Sequence, residues 1–444
     1  MFVRWVGPAK GCSTTGVTSP ASLRPTPMPR PILYLLAIAP GLLQAAEPEP
    51  RWLTLNHAAH EAVQAKDYAR LRATLQELKP LLPGNPRIAY NLAASEAMLG
   101  NREAALAALR DWSAMGLVYD VGADDDFVSL RDTPEFHKVL DRVAQSKSPV
   151  SHAVAAFTLP ARDILPEDIA YDRKTRRFFI SSVRKGIILT VGSAGDSREF
   201  ARSEWPVLAL RIDPGRRLLW ATTGYVPHGE SVKESDKDKT ALLAFDLASG
   251  AQKQRIPSPV PGLLGDMTIS RRGDLYISEG IHGAVLRLKA GATTLERLDA
   301  EGDFPSPQTP ALSADEKTLY VPDYVRGIAS MRLDTRHVEW LQPAPGIALS
   351  GIDGLYVHNN SFLAVQNGTT PPRLIRFSLD LRKQEVLEAN TPGLGEPTHG
   401  TFDGDDFYFL ANSGWNEYDQ DGKKKAGSAA VESTVRKLRL GKGL

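Results

Sequence analysis

Glu167, Asp266, Gln308, Asp353 and His399 are the side chains in this sequence best suited to hold a cation or move a proton, and each stands at or beside the opening of an apolar segment. A second group, Tyr324, Arg326, Asn367 and Asn412, lies where the following apolar segment ends. Carboxylates and amides gathered around one point are the oxygen ligands that a hard divalent cation such as calcium takes. Two carboxylates brought together without a cation repel, so one of them holds its proton to higher pH. The same residue types also serve plainer ends: acids at strand starts cap turns, and asparagine is common where strands stop.

A repeat places these residues. The segments EDIAYDRKTRRFFISS from Glu167, LALRIDPGRRLLWATT from Leu208, GDMTISRRGDLYISEG from Gly265, QTPALSADEKTLYVPD from Gln308, DGLYVHNNSFLAVQNG from Asp353 and THGTFDGDDFYFLANS from Thr398 share one pattern. It runs apolar strand, turn, second apolar strand with a polar end, then a third strand. Successive openings are 41, 57, 43, 45 and 45 residues apart by subtraction of those numbers. Self-similarity at ~40–50 residues with several strands per unit marks a β-propeller, and six copies predict six blades. In a propeller the inner strand of each blade starts on one face, and the loop after the second strand returns to it. Both groups should therefore converge on the mouth of the central channel. The long second interval holds HGESVKESDKDK (His228–Lys239), charged and without apolar periodicity, which predicts a mobile surface flap beside that mouth, or else the solvated tail of a turn.

Pro166–Asp172 (PEDIAYD) resembles the opening of the senescence-marker-protein, gluconolactonase and luciferin-regenerating-enzyme family, and Asp353–Val357 (DGLYV) resembles its later Asp-Gly motif. The resemblance covers roughly Ile164 to Leu440. It implies that Glu167 and Asp353 are metal ligands and that Asp353 also serves catalysis. Gln308 stands where the family has asparagine, a near match as a third ligand. Gly265 replaces another asparagine, although Asp266 follows it as an aspartate does in the family. The implied cofactor is Ca2+ or another divalent cation. Asp266, Tyr324, Arg326, Asn367, His399 and Asn412 are left as substrate-binding candidates.

The rest of the chain bounds the setting. Lysine and arginine (53) balance aspartate and glutamate (52), so no overall field draws nucleic acid or anionic membrane. From Met28, a basic residue, the apolar run Ile32–Leu43 and the small residues Ala45 and Ala46 read as a secretory signal at 28–46, with 1–27 an upstream artefact. The mature chain is then periplasmic or secreted, without a membrane span. It carries no disulfide, because the single cysteine, Cys12, lies before the cleavage point.

Residues 51–146 read as helices at Arg51–Lys66, Tyr68–Leu82, Pro86–Leu99 and Arg102–Met115. Their two turns are 34 residues apart, so the pair resembles tetratricopeptide repeats, closed by a capping helix that starts at Thr133-Pro134. These repeats offer a surface for a protein partner, or they simply pack on the propeller. Ser146–Ser151 reads as the linker to a propeller at 152–444. No nucleophile elbow, zincin helix, Walker loop or dinucleotide fingerprint is present. The expected function is a divalent-metal-dependent, lactonase-like hydrolase acting on a small molecule at the channel mouth. A propeller that binds a small ligand or a protein partner there without catalysis is the alternative.

Overall fold

The computed structural model describes residues 50–159, 163–192, 196–428 and 432–444; the readings for 1–27 and 28–46 lie outside them. Five helices come first: α1 (Arg51–Gln64), α2 (Tyr68–Leu78), α3 (Pro86–Met98), α4 (Arg102–Ser113) and α5 (Pro134–Gln145). Their starts follow local chemistry. Asp67 accepts from the Arg70 amide, Asn85 from those of Arg87 and Ile88, and Thr133 from that of Phe136, with Pro86 and Pro134 at the first helical positions. Helices α1 and α2 stop earlier than the periodicity predicts. Lys66 is left-handed at φ 54°, and Leu78 is followed by a turn through Pro80 and Pro83. One core joins Leu71, Leu75 and Leu78 to Ala59 and Ile88. A second gathers Trp112, Phe127, Phe136 and Val139, so α5 supplies the expected cap.

The β part is a ring of six antiparallel sheets in sequence order, each with at least four strands, and so a six-bladed propeller. Blade 1 is built from Pro166–Asp172, Arg177–Ser182, Ile187–Val191 and Ser197–Arg202. The inner strands of the next five blades are Val207–Asp213, Leu264–Ile269, Ala311–Leu312, Gly354–His358 and Gly400–Asp403. The sequence pattern shows three strands per copy, and the structure adds an outer fourth. The outer strand of blade 6 is Ala153–Thr158, which precedes blade 1 in the chain and closes the ring against Thr434–Arg439. The segment read as a linker adds Val150–Ser151 to the edge of blade 5.

At or just beyond the end of each second strand, a polar residue ties two loops of its blade together. Glu279 accepts from the Leu263, Ile281 and His282 amides at 2.8–2.9 Å, and Asp323 from those of Ser306, Val325 and Arg326 at 2.7–2.9 Å. Ser182 donates to Ile164 O, Thr223 to Pro206 O, Gln366 to Ser350 O and Ser413 to Glu396 O. Buried backbone groups need such partners, which explains the recurring polar position without any ligand.

The helices dock on blades 4 and 5, at the end where the inner strands begin. Leu349 N donates to Gly84 O (3.0 Å) and Val118 N to Thr370 O (2.8 Å); Val325 and Ala348 of the propeller enter the two helical cores. Arg373 rivets this junction. It is fully buried, with Nε donating to Gln366 Oε1 (2.8 Å) and Nη1 to Met115 O (2.7 Å), just past the end of α4. The turn carbonyls that follow α4, Met115 O and Gly116 O, accept from it in place of a counter-ion. Burial alone pushes the guanidinium down to about 10. Arg373→Ala empties this space and orphans both acceptors. It should lower unfolding stability by roughly 2–4 kcal/mol in denaturant titrations, and an unchanged midpoint would contradict the assignment. No helix among the described residues is long and apolar enough to cross a membrane.

Candidate functional site

The first strands of blades 1, 2 and 3 each carry a register shift beside their openings, between Pro166 and Ile169, Val207 and Leu210, and Leu264 and Met267. Such bulges re-aim side chains next to a site. His399 Nε2 of blade 6 lies 3.2 Å from Asp266 Oδ1 of blade 3, and blades 3 and 6 face each other across a six-membered ring. Side chains therefore meet on the propeller axis at this level. Glu167, Asp353 and His399, from blades 1, 5 and 6, each bring one ligand atom within 4.8 Å of the others.

The neighbours fix these groups. His399 Nδ1 faces the Glu167 carbonyl at 2.9 Å, which can only accept, so Nδ1 carries a proton, and Nε2 looks toward Asp266 and Asp353. Trp415 Nε1 donates to Glu167 Oε2 (2.6 Å). Asn367 Nδ2 donates to Asp353 Oδ2 (2.7 Å) and Pro397 O (3.0 Å), and its own carbonyl accepts from the Tyr324 hydroxyl (3.1 Å). That tyrosine lies over Gly368, where a β-carbon would come within 2.5 Å of its oxygen. Deeper in, Asp168 is fully buried and accepts from Arg211 Nη1 (2.6 Å) and Leu210 N (2.8 Å). Tyr356 OH accepts from Gly400 N at 2.8 Å.

Burial and mutual repulsion set the electrostatics. Burial pushes the Glu167 carboxyl up to about 8; His399 opposes this and Asp353 adds to it. Asp353 rises to about 6, through burial first, with His399 opposing and Asp266 reinforcing. For His399 burial works against the charged form, but Asp266 and Asp353 outweigh it and hold the imidazole well above its usual range. Among the described residues, Glu167, Asp168, Asp266 and Asp353 thus face Arg211 and His399 as counter-charges. The surplus of acid, together with a buried His399 Nε2 that has no well-aligned hydrogen-bond partner, fits a divalent cation.

Of the residues singled out in the sequence, Glu167, Asp353, Asp266 and His399 are brought together, and Tyr324 and Asn367 stand behind Asp353. Gln308 uses its amide nitrogen on Ser306, at 3.1 Å to the carbonyl and 3.2 Å to the hydroxyl. Arg326 donates to Leu81 O (3.4 Å) and Asp303 O (3.0 Å) and lies over the Trp340 ring at 4.0 Å, joining helices to propeller. Asn412 packs against Gly395. The sequence reading missed Arg211 and Tyr356. Both stand three positions after an opening, Leu208 and Asp353, and that shared offset was the available signal.

The charged insertion of blade 2 lies between Gly224 and Thr240 and is tied at several points. Glu230 N donates to Arg184 O (2.9 Å), its carboxylate pairs with Lys185 (2.5 Å), and the His228 ring meets Trp415 edge-on at 4.7 Å. Trp415 in turn holds Glu167, so the loop reaches the site through two rings. His228→Ala should leave Glu167 less firmly held and lower cation affinity by a few-fold in calorimetric titration. Equal affinity would separate the loop from the site.

No protein-family model matches the chain, and no curated protein sequence matches it. Solved structures do. A gluconolactonase from Xanthomonas campestris is 16% identical over 66% of this chain and 99% of its own, with a TM-score of 0.46. Regucalcin, a calcium-binding protein from Agrobacterium tumefaciens, is 16% identical over 65% of this chain and 93% of its own, with a TM-score of 0.45. The PQQ-bound aldose sugar dehydrogenase of Streptomyces coelicolor is 12% identical over 66% of this chain and 99% of its own, with a TM-score of 0.44.

Proposed function

We propose that the axial cluster is a divalent-cation site at which a lactone or related ester is hydrolysed, the substrate entering where the inner strands begin. The carrying observation is the convergence of Glu167, Asp353 and His399 within 4.8 Å, with acids outnumbering bases around them. Glu167 and Asp353 would hold the cation, which when bound polarises an ester carbonyl as a Lewis acid. Asp353, oriented by Asn367, takes the proton of the attacking water. Trp415 keeps Glu167 aimed inward. A periplasmic or secreted location, taken from the Met28 signal, belongs to the same proposal. Mass spectrometry of exported chain should give an N-terminus near Ala46 or Glu47; an intact chain in the cytosol would sink it.

The chemistry is tested by stripping the chain with chelator, restoring divalent ions and following acid release from a panel of lactones and aryl esters. Turnover should return with the ion and be lost in Glu167→Gln. One observation favours a second reading, a propeller that binds without catalysis: a protonated His399, facing Asp266 and Asp353, neutralises part of the acid surplus by itself. Ion binding without turnover on any lactone or ester would select that reading.

A further inference from the structure

We infer that His399 completes the site as a nitrogen ligand, so that the site takes a zinc-class ion (Zn2+, Co2+ or Ni2+) in preference to calcium. This rests on the cation reading above and names the class of ion.

The first observation is the orientation of the ring. Nδ1 donates to Glu167 O, so Nε2 is the ring atom that can give up its proton and offer a lone pair when a cation enters. A ring N–H held by a backbone carbonyl is how metal-binding imidazoles are oriented. The second is the orphaned atom. The His399 side chain is 1% exposed, and Nε2 has no well-aligned hydrogen-bond partner, with Asp266 Oδ1 at 3.2 Å and Asp353 Oδ1 at 4.0 Å. Those oxygens are near without being aligned, an arrangement suited to ligands that share a third atom. The third is the donor set. Calcium takes six to eight oxygens, whereas a mixed set of imidazole and carboxylates suits zinc-class ions. Asp168 adds no free oxygen to favour calcium, because Arg211 and two backbone amides already bind its carboxylate.

In the repeat, His399 occupies the position held by Asp168 in blade 1 and Asp266 in blade 3. Blade 6 thus replaces an oxygen donor with a nitrogen donor at the ring's axis. That one replacement changes which ions the ring prefers.

The test uses the full chain, freed of metal by chelator and titrated separately with Zn2+, Co2+ and Ca2+ by calorimetry and melting. Zn2+ should bind at least about 100-fold more tightly than Ca2+, and His399→Asn should lose about 10–100-fold of Zn2+ affinity while Ca2+ affinity stays within a few-fold. Because that variant removes a buried ring, the wild-type chain carries a second readout. Loaded with Co2+, it should show one strongly shifted exchangeable proton in its NMR spectrum, from the Nδ1–H that faces Glu167. Calcium binding as tightly as zinc, zinc affinity unchanged in His399→Asn, or no shifted proton would each overturn the inference and leave the cation site standing. Failure to bind any of the three ions would overturn the cation site, and this inference with it.

Discussion

Asp353→Asn should lower kcat for lactone or ester hydrolysis by roughly 10²–10⁴-fold while the chain keeps its fold. The amide has the volume of the carboxylate and can still accept from Asn367 Nδ2, now at 2.7 Å from Oδ2, so packing around the axis is preserved. The capacity to take a proton from water is lost. At saturating cation the loss should fall mainly on kcat, with KM changed little, because the proton-accepting role acts on the reacting water. The weakened cation ligand should show separately as a higher cation requirement. Asp266 is the nearest rival base, at 3.2 Å from His399. If Asp353→Asn retains turnover within a few-fold while Asp266→Asn abolishes it, the proton-accepting role moves to Asp266.

The metal-free chain should become less stable as pH rises from about 5 to about 8, and divalent ions should cancel that fall. Glu167 has a folded-state value of about 8 against 4.5, and Asp353 about 6 against 3.8. Each binds its proton more tightly folded than unfolded, so its contribution is present at low pH and is lost as pH climbs through the folded value. His399, raised above 6.5, acts in the same sense over the upper part of the window. For Glu167 alone the shift corresponds to an upper figure of about 5 kcal/mol. Glu167→Gln should therefore raise the melting temperature of metal-free chain at pH 8 by several degrees. It should also lose most of the stabilisation that added ion gives wild type, about 2.7 kcal/mol at a hundredfold excess over Kd. A flat stability profile between pH 5 and 8 without metal would mean that the acids are already neutralised within the fold.

The sixfold pattern was legible because the inner three strands of each blade are buried and written in apolar residues at fixed offsets. The outer strands were not. Glu296–Arg297 is two residues long and Val338–Trp340 three, too short and too exposed to carry a pattern. Nor could the repeat show that Ala153–Thr158 completes blade 6, since closure pairs strands from the two ends of the propeller segment. The axial acids were legible from their place at the openings. What His399 does was not, because its role depends on which ring nitrogen the Glu167 carbonyl takes. Arg373 looks like an ordinary strand residue in RLIRFS, and only the docking of α4 reveals it as buried. Glu279 and Asp323 show the opposite hazard. Both have the right residue type at the right spacing, and both are consumed by backbone amides.

The most direct measurement is anomalous diffraction from crystals of the chain loaded with Mn2+, an ion that accepts both carboxylate and imidazole donors. The expected map has one strong peak on the propeller axis, about 2.0–2.6 Å from oxygens of Glu167 and Asp353 and from His399 Nε2. No peak there, or a peak only at surface acids with His399 hydrogen-bonded to Asp266, would contradict the cation site and every step built on it.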